Sequence, residues 1–215
     1  MHRRVLIAAT LGLASSMPAR ASELIEAAAR GDLAALRRLL DAGAELDARD
    51  ASGRTAVLAA TQGGHVAAAR WLIERGADVN AQDRIQDSAF LLAGARGHTE
   101  IVRAALPKAD PKRLNRYGGT ALIPACHYGH VDTVRVLLEW KGANRVDVNH
   151  VNRLGWTALL EAVILGDGGA AHTEIVRLLL AHGADRRIAD REGVTPLEHA
   201  RRRGQTAIVQ LLSAR

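Results

Sequence analysis

The sequence has few aromatic residues and almost no cysteine. Six of its 215 residues are aromatic, and Cys126 is the single cysteine. One thiol cannot form an internal disulfide, so no disulfide framework stabilises the chain. Hydrophobic residues make up 48% of the sequence, and alanine and leucine recur at helical spacing. This composition excludes a disordered chain and favours thin, closely packed helix pairs over one bulky core.

Long apolar runs are also missing. The longest near the start, Val5 to Leu13, is shorter than the roughly 20 residues that a transmembrane helix needs. Arg3 and Arg4 precede it, and Ala19-Arg20-Ala21 follows. A basic end, a short apolar stretch and a small-x-small ending are typical of a secretory signal peptide. We therefore predict that residues 1–21 are a leader and that the periplasmic chain begins at Ser22. An uncleaved membrane anchor is the alternative, and the paired arginines would suit a twin-arginine export route.

The chain without this leader has no strong excess of one charge. Its removal takes away three arginines and leaves 26 basic against 23 acidic residues, a net charge of +3. A nucleic-acid-binding protein gathers its basic residues on one face, whereas acidic residues are interspersed throughout this chain. We predict no nucleic-acid partner, and no membrane insertion once the leader is gone.

What the chain does contain is a repeated unit of about 33 residues. Its clearest copy, Asp50 to Gln82, reads as a turn, a short helix opened by Thr55, a Gly63-Gly64-His65 break and a second helix that ends at Gly76. This order of signals resembles the ankyrin repeat family. The resemblance implies an all-α solenoid of stacked helix–turn–helix units with β-turn fingers. About six repeats, the terminal ones acting as caps, are predicted at residues 22–49, 50–82, 83–114, 115–151, 152–189 and 190–215.

Repeat boundaries carry recognisable backbone signals. Ser22 aligns with Thr55, so we expect it to cap the first helix of the mature chain, Glu23 to Arg30. A glycine follows the second helix of four repeats, and each is expected to adopt the left-handed conformation that releases the chain into the exit turn. These glycines are Gly43, Gly76, Gly142 and Gly183.

Repeat three departs most from the pattern. Gln86 stands where the turn glycine belongs, and Pro107 is expected to cut the second helix short. We predict that Lys108 to Leu114 forms an irregular, basic connection. One poor unit can uncouple the two sides of a repeat array, so we expect repeat three to open most readily.

Repeats four and five carry insertions. Four extra residues between Trp140 and Val151 predict a longer finger after the second helix of repeat four. Asp167 to Ala171 separates the two helices of repeat five and is predicted to be a flexible, projecting loop. Pro124 falls in the first turn of a helix, where a missing N–H costs least.

One cluster of reactive residues has two possible interpretations, one functional and one structural. Cys126, His127 and His130 lie close together in the sequence and suggest a small metal- or ligand-binding site or an enzyme. However, Cys126 aligns with a small core alanine, and His130 with a Gly-His turn that recurs in other repeats. The glycine-rich stretch Gly166 to Gly169 lacks the preceding strand and following lysine of a phosphate-binding loop. We therefore predict a protein that is not an enzyme, with no metal and no cofactor, and keep the reactive cluster as the alternative.

The resemblance also implies where a partner binds. The family leaves free the finger residues beside the turn glycine and the last two residues before the Gly-His turn, which together line the concave face. In repeats three to five we predict partner-binding residues at Arg84, Ile85, Arg96, Arg116, Tyr117, His127, Tyr128, Arg153, Leu154, Trp156 and Leu165. Asp87, Ala95, Gly119 and Ile164 occupy further positions of the same kind. Three of the six aromatic residues fall in this set, and tyrosine, tryptophan and arginine dominate binding energy at interfaces.

The expected function follows from the same resemblance, which extends to exported bacterial ankyrin proteins. It implies a monomeric scaffold, inhibitor or protective chaperone of one protein partner in the bacterial envelope. Such a partner would be a peroxide-defence enzyme or a secreted toxic enzyme. A purely structural or self-associating protein is the remaining alternative.

Overall fold

Twelve helices arranged as six successive pairs make up the protein in a computed structural model that describes residues 17–214. The pairs are α1 (Met17–Ala29) and α2 (Leu33–Asp41), α3 (Ala56–Gln62) and α4 (Val66–Glu74), α5 (Ala89–Ala95) and α6 (Thr99–Ala105), α7 (Leu122–His127) and α8 (Val131–Glu139), α9 (Ala158–Ile164) and α10 (Ala170–Ala181), and α11 (Pro196–Arg202) and α12 (Thr206–Ser213). This range contains no strand. The predicted all-α repeat solenoid is confirmed.

The helices form two layers. First helices pack on first helices along the series α1, α3, α5, α7, α9 and α11, and second helices stack in the same way from α4 to α12. Small residues let the layers approach closely, and one continuous apolar cluster runs from Leu24 to Leu212. Because each repeat buries its faces against its neighbours, the array has a long thin core.

A hydroxyl cap opens the first helix of most repeats. The side-chain oxygens of Thr55, Ser88, Thr157 and Thr195 each accept a hydrogen bond from the backbone N–H three residues later, at 3.2–3.4 Å. This satisfies one of the free N–H groups of the first turn.

The first helix begins earlier than predicted. It starts at Met17, within the predicted leader, so Ser22 lies inside α1 and its hydroxyl donates to Glu26 at 3.3 Å. In the full chain Ser22 therefore lies within the helix, and its role as the cap of the mature chain stays a prediction. The leader's residues 1–16 lie outside the described range.

Pro124 shifts the start of the first helix of repeat four. In other repeats the residue at this position donates its N–H to the carbonyl of the capping residue, as Ala59 does to Thr55 at 3.0 Å. Proline has no N–H to donate, and α7 begins at Leu122. Among the described residues the buried Thr120 hydroxyl has no hydrogen-bond partner.

Each finger is a turn of the same length. The first residue of the finger donates its N–H to the carbonyl four residues later, as in Asn115 to Gly119 at 2.9 Å and Asn152 to Trp156 at 3.0 Å. The predicted longer finger is therefore wrong. The extra residues of repeat four lie at the exit of α8 instead, where Asn144 reaches back to Leu106 and Ala109.

Gly142 likewise differs from the other exit glycines. Gly43, Gly76 and Gly183 have φ angles of 84°, 99° and 88°, but Gly142 is not left-handed. It lies beside the indole of Trp140, and a Cβ atom there would come within 2.4 Å of the ring nitrogen. This glycine provides space for a tryptophan and does not turn the chain.

Gln86 takes the strained conformation that its place in the finger requires. It is the one non-glycine residue in the described range with a positive φ, at 62°. The left-handed region costs an L-residue about 1–2 kcal/mol. Repeat three therefore carries local strain that a glycine would remove.

The exit of repeat three is more regular than predicted. After α6 and a 3₁₀ turn at Leu106–Lys108, the Asp110 carboxylate accepts from the N–H of Lys112 at 2.9 Å. Asp78, Asp147 and Asp185 form the same turn in other repeats. Pro107 does shorten α6, but the connection that follows is not irregular.

The insertion of repeat five forms a compact turn. Asp167 accepts from the N–H of Gly169 at 2.8 Å and pairs with the His172 ring at the same distance. The inserted residues continue into α10, which is 12 residues long. The expected projecting loop was wrong, because the carboxylate and the imidazole hold this turn against the array.

Within the residues that the structure describes, no helix has both the length and the apolar character needed to cross a membrane.

Candidate protein-binding surface

A depression of about 800 Å³ lies on the side of the array formed by the fingers and first helices of repeats three to five. We call it the concave depression. Its lining residues are Asp87, Leu92, Ala95, Arg96, Asn115, Arg116, Tyr117, Gly119, Ile123, Pro124, His127, Tyr128, His130, Asn152, Leu154, Glu161 and Leu165.

Most of the predicted partner-binding residues meet here. Seven line the concave depression, namely Arg96, Arg116, Tyr117, His127, Tyr128, Leu154 and Leu165. Arg84, Ile85, Arg153 and Trp156 do not line it. Trp156 is half-buried on its finger, so its predicted part in binding lacks support from this geometry.

Large apolar side chains are exposed around the concave depression. Tyr117 is 55% exposed, Tyr128 60%, Leu154 47% and Leu165 41%. Single exposed apolar residues are normal on protein surfaces, whereas a contiguous group of them marks an interaction site. Four such side chains around one depression are the strongest sign of a binding surface.

The two tyrosines are held by their neighbours. The Tyr128 ring stacks on the His127 ring, with centroids 4.2 Å apart and an angle of 11° between the planes. The Arg116 guanidinium lies 4.9 Å from the centroid of the Tyr117 ring. Such stacking restricts rotation, so less side-chain entropy is lost when a partner binds.

Neighbouring fingers are joined through their backbones. The N–H of Arg153 donates to the carbonyl of Tyr117 at 2.9 Å, and its guanidinium donates to the carbonyl of Arg116 at 2.8 Å. The fingers of repeats four and five therefore present Tyr117 and Leu154 as one surface.

The arginines of the concave depression are tethered within the protein. Arg116 pairs with Asp87 at 3.4 Å, and Arg96 donates to the carbonyl of Gln62 at 2.7 Å. Desolvation raises the pKa of Asp87, with the nearby guanidinium opposing that rise.

Glu161 is a functional candidate that sequence reasoning missed. It lines the concave depression, yet its side chain is only 7% exposed. One carboxylate oxygen accepts from the Asn152 side chain at 3.0 Å, and the other lies 3.6 Å from Nδ1 of His127. Burial raises the pKa of Glu161 to about 7, against the opposing effect of the Asn152 hydrogen bond.

A signal for Glu161 was present in the alignment of the repeats. The equivalent first-helix positions hold the exposed Glu26 in the first repeat and Ala59, Leu92, Pro124 and His199 in the others. Glu161 is thus the carboxylate in an otherwise apolar helix, ALLEAVI. A charged residue at such a position is rarely buried unless it is paired.

The reactive cluster of Cys126, His127 and His130 does not converge. Cys126 is fully buried, and burial raises the pKa of its thiol well above the usual range. His130 contacts the carbonyl of Ala95 at 3.2 Å, as His65 contacts Ala29 and His172 contacts His127. These turn histidines link successive repeats, so their structural interpretation is confirmed. Residues 17–214 contain no group of three or more side chains placed to hold a metal ion.

Comparisons with known proteins agree with the fold. Residues 24–73 match the family described as ankyrin repeats (many copies), and residues 77–146 and 141–215 match ankyrin repeats (3 copies). The chain belongs to the ankyrin repeat family.

Particular relatives are similar over nearly their whole length. YahD of Escherichia coli, named as an ankyrin repeat protein, is 39% identical over 90% of this chain and 95% of its own. A solved ankyrin repeat domain from Acinetobacter baumannii is 53% identical, covering 88% of this chain and 95% of that one, with a TM-score of 0.82. The ankyrin repeat protein EF0377 is 41% identical over 90% and 97% of the two chains, with a TM-score of 0.84.

Proposed function

We propose that this protein is a non-enzymatic binding module that engages one protein partner through the concave depression. The observation that supports the proposal is the group of four exposed apolar side chains, Tyr117, Tyr128, Leu154 and Leu165, around one depression. Ankyrin repeats are protein-interaction modules.

The geometry favours a protein surface as the ligand. A small-molecule site encloses most of its ligand, whereas here the two tyrosines extend outward from the rim with more than half of their area exposed. Aromatic side chains that are held in place and exposed are typical anchors of protein interfaces.

We further propose that the protein acts in the bacterial envelope. The supporting feature is the leader pattern, Arg3 and Arg4 before the apolar run Val5 to Leu13 and the ending Ala19-Arg20-Ala21. Removal before Ser22 would shorten α1 by its first five residues, Met17 to Ala21, and would leave Ser22 at the new terminus.

The leader proposal has a direct measurement. N-terminal sequencing of the native protein from a periplasmic fraction should return Ser22 as the first residue. A chain that starts at Met1, or that remains with the membrane fraction, would contradict it.

The resemblance to exported ankyrin proteins suggests two roles, protection of a peroxide-defence enzyme and inhibition of a secreted toxic enzyme. The same fold occurs in a solved complex of the predatory endopeptidase Bd0816 with the immunity protein Bd3460 from Bdellovibrio bacteriovorus, with 22% identity and a TM-score of 0.72. At that identity the likeness concerns the fold alone. We therefore propose an envelope protein partner and distinguish the two roles by identifying what is captured.

The binding prediction concerns the two exposed tyrosines. Tyr117→Ala and Tyr128→Ala should each weaken partner capture from an envelope extract by about thirtyfold, because a hot-spot anchor contributes about 2 kcal/mol. Melting curves should change little, since both side chains are more than half exposed. Quantitative pull-down with mass spectrometry would measure the loss and identify the partner.

Two further variants serve as controls. Arg103→Ala removes an exposed side chain of α6, outside the concave depression, and should keep full capture. Trp156→Ala tests the half-buried residue, and a lower melting temperature with unchanged capture would place it in the packing of the finger. If both tyrosine variants retain the partner at wild-type strength, the binding surface lies elsewhere.

A further inference from the structure

Glu161 stands apart from the other charged side chains of the concave depression. Asp87 is paired with Arg116, and Arg96 is tethered to the carbonyl of Gln62. Glu161 receives one hydrogen bond, from the neutral side chain of Asn152. In the described part of the chain no arginine or lysine forms an ion pair with it.

The groups around Glu161 on each packed element leave that charge uncompensated. On α7, desolvation lowers the pKa of His127, which favours its neutral imidazole; Cys126 is a buried thiol. On α10, His172 is bonded to the His127 carbonyl and to Asp167. On α11, His199 is bonded to Asp190 at 2.6 Å.

A second observation concerns the free oxygen of Glu161. Oε1 accepts from Asn152, whereas Oε2 accepts no hydrogen bond from the described residues and lies 3.6 Å from the nearest imidazole nitrogen. The Glu161 side chain lines the concave depression and is 7% exposed, so it can be reached from the depression. It is therefore available to a donor that enters from outside.

We infer that the partner inserts a basic side chain, an arginine or a lysine, into the concave depression and pairs it with the Glu161 carboxylate. This inference rests on the proposed function, because it names the chemistry of the contact at the same surface. The aliphatic part of such a side chain would pack on Leu154 and Leu165. Its cationic end would lie close to the Tyr128 ring, which attracts cations through its face.

Charge complementarity favours a cation over a neutral donor. A carboxylate that is buried without a positive partner is destabilised by desolvation. A neutral donor would leave that charge uncompensated, whereas a guanidinium or ammonium group supplies both the hydrogen bond and the opposite charge. The same pairing provides specificity, because a partner that presents an acidic group here would be repelled.

Binding should strengthen as the pH rises. Burial raises the pKa of Glu161 to about 7 in the free protein, with the Asn152 hydrogen bond opposing. Roughly a tenth of the side chains are then ionised at pH 6 and roughly nine-tenths at pH 8. Since the cation binds the ionised form, the affinity should rise roughly tenfold between these two pH values.

The test uses a random 12-residue peptide library displayed on phage and selected on the full chain at pH 8. Enriched peptides should contain an arginine or lysine. Synthetic copies are then measured by fluorescence anisotropy at pH 6 and pH 8, beside matched copies that carry citrulline for arginine or norleucine for lysine. The protein variants are Glu161→Gln, Tyr128→Ala and, as a matched control, Glu100→Gln on α6.

The expected result is a coupling between the two charges. Replacing the basic residue should weaken binding at least tenfold on the wild type and on Glu100→Gln, but hardly at all on Glu161→Gln. The pH dependence should also disappear in Glu161→Gln. That variant should fold at least as stably as the wild type above pH 7. A carboxyl whose pKa is raised on folding loses stability as the pH rises from about 4.5 to about 7, and glutamine does not titrate.

The other outcomes would contradict either the basic side chain or the binding surface itself. Peptides that need Tyr128 but bind Glu161→Gln as tightly as the wild type would leave the proposed binding surface standing and refute the basic side chain. Peptides that bind Glu161→Gln and Tyr128→Ala as tightly as the wild type would also refute the placement of the binding surface. A selection that enriches no peptide dependent on the concave depression would also count against the inference.

Discussion

Replacing Asn144 with alanine is expected to lower the free energy of unfolding by about 3 kcal/mol, the loss of three hydrogen bonds of about 1 kcal/mol each. The Asn144 amide donates to the carbonyls of Leu106 and Ala109, and its oxygen accepts from the Trp140 indole at 2.8 Å. The two bonds from the amide join repeat four to repeat three, and the bond from the indole fixes Asn144 within repeat four. Urea denaturation, followed by circular dichroism, measures the change.

The reason for this large effect lies in how the other junctions are built. Asn80 and Asn149 each bind the carbonyl and the N–H of the following repeat's exit turn. Lys112 occupies the corresponding position in repeat three. Asn144 of repeat four therefore supplies the hydrogen bonds between repeats three and four, which Lys112 does not make.

Arg145→Ala is the matched control for Asn144→Ala. It changes the exposed neighbouring residue in the same loop and should alter stability by less than about 0.5 kcal/mol. Hydrogen exchange adds a local measurement. Residues 101–114 should open more readily than residues 175–180 in the wild type, and more readily still in Asn144→Ala. An unchanged urea midpoint with unchanged exchange would show that Asn144 does not hold the junction.

Replacing Gly94 with valine should also destabilise the fold by about 3 kcal/mol, through overpacking. A Cβ atom on Gly94 would lie 2.6 Å from the carbonyl oxygen of Ala121 and 2.8 Å from its Cβ. Backbone cannot move aside as a flexible side chain can, so α5 and α7 would have to separate. The loss should appear as a lower urea midpoint and a lower melting temperature.

Valine itself is acceptable at this helical position elsewhere in the array. Val163 occupies it in repeat five and Thr61 in repeat two. Thr61→Val is therefore the matched control, with a cost of at most about 1 kcal/mol for the lost hydroxyl bond to Val57. If Gly94→Val is as stable as Thr61→Val, the close approach of α5 to α7 is not required for the fold.

The predicted features that proved correct depend on nearby residues. The period of about 33 residues, the opening of a helix at Thr55 and the shortening of α6 by Pro107 were all readable from local signals. The positions of the fingers and of the ends of the first helices were also readable from local signals. For this reason seven of the predicted binding residues line one depression. A repeat pattern places each residue on a known face, and the face does not depend on the partner.

The features that proved wrong depend on side-chain contacts that form in the folded array. The extra residues near Asn144 bind Leu106 and Ala109 of the preceding repeat. The insertion at Asp167 is held by His172 of its own repeat, whose ring also contacts the His127 carbonyl of repeat four. Gln86 shows the reverse case, since the finger imposes a left-handed conformation on a residue that does not favour it.

By itself the sequence determined the family and the number of repeats, and it predicted a binding face, because all three follow from periodic patterns within one repeat. Only the tertiary structure decided which residues of that face line one depression and what chemistry they offer. Glu161 has a raised pKa because α7, α9 and the finger of repeat five together remove it from water. Desolvation is a property of the packed array, and no single repeat contains it.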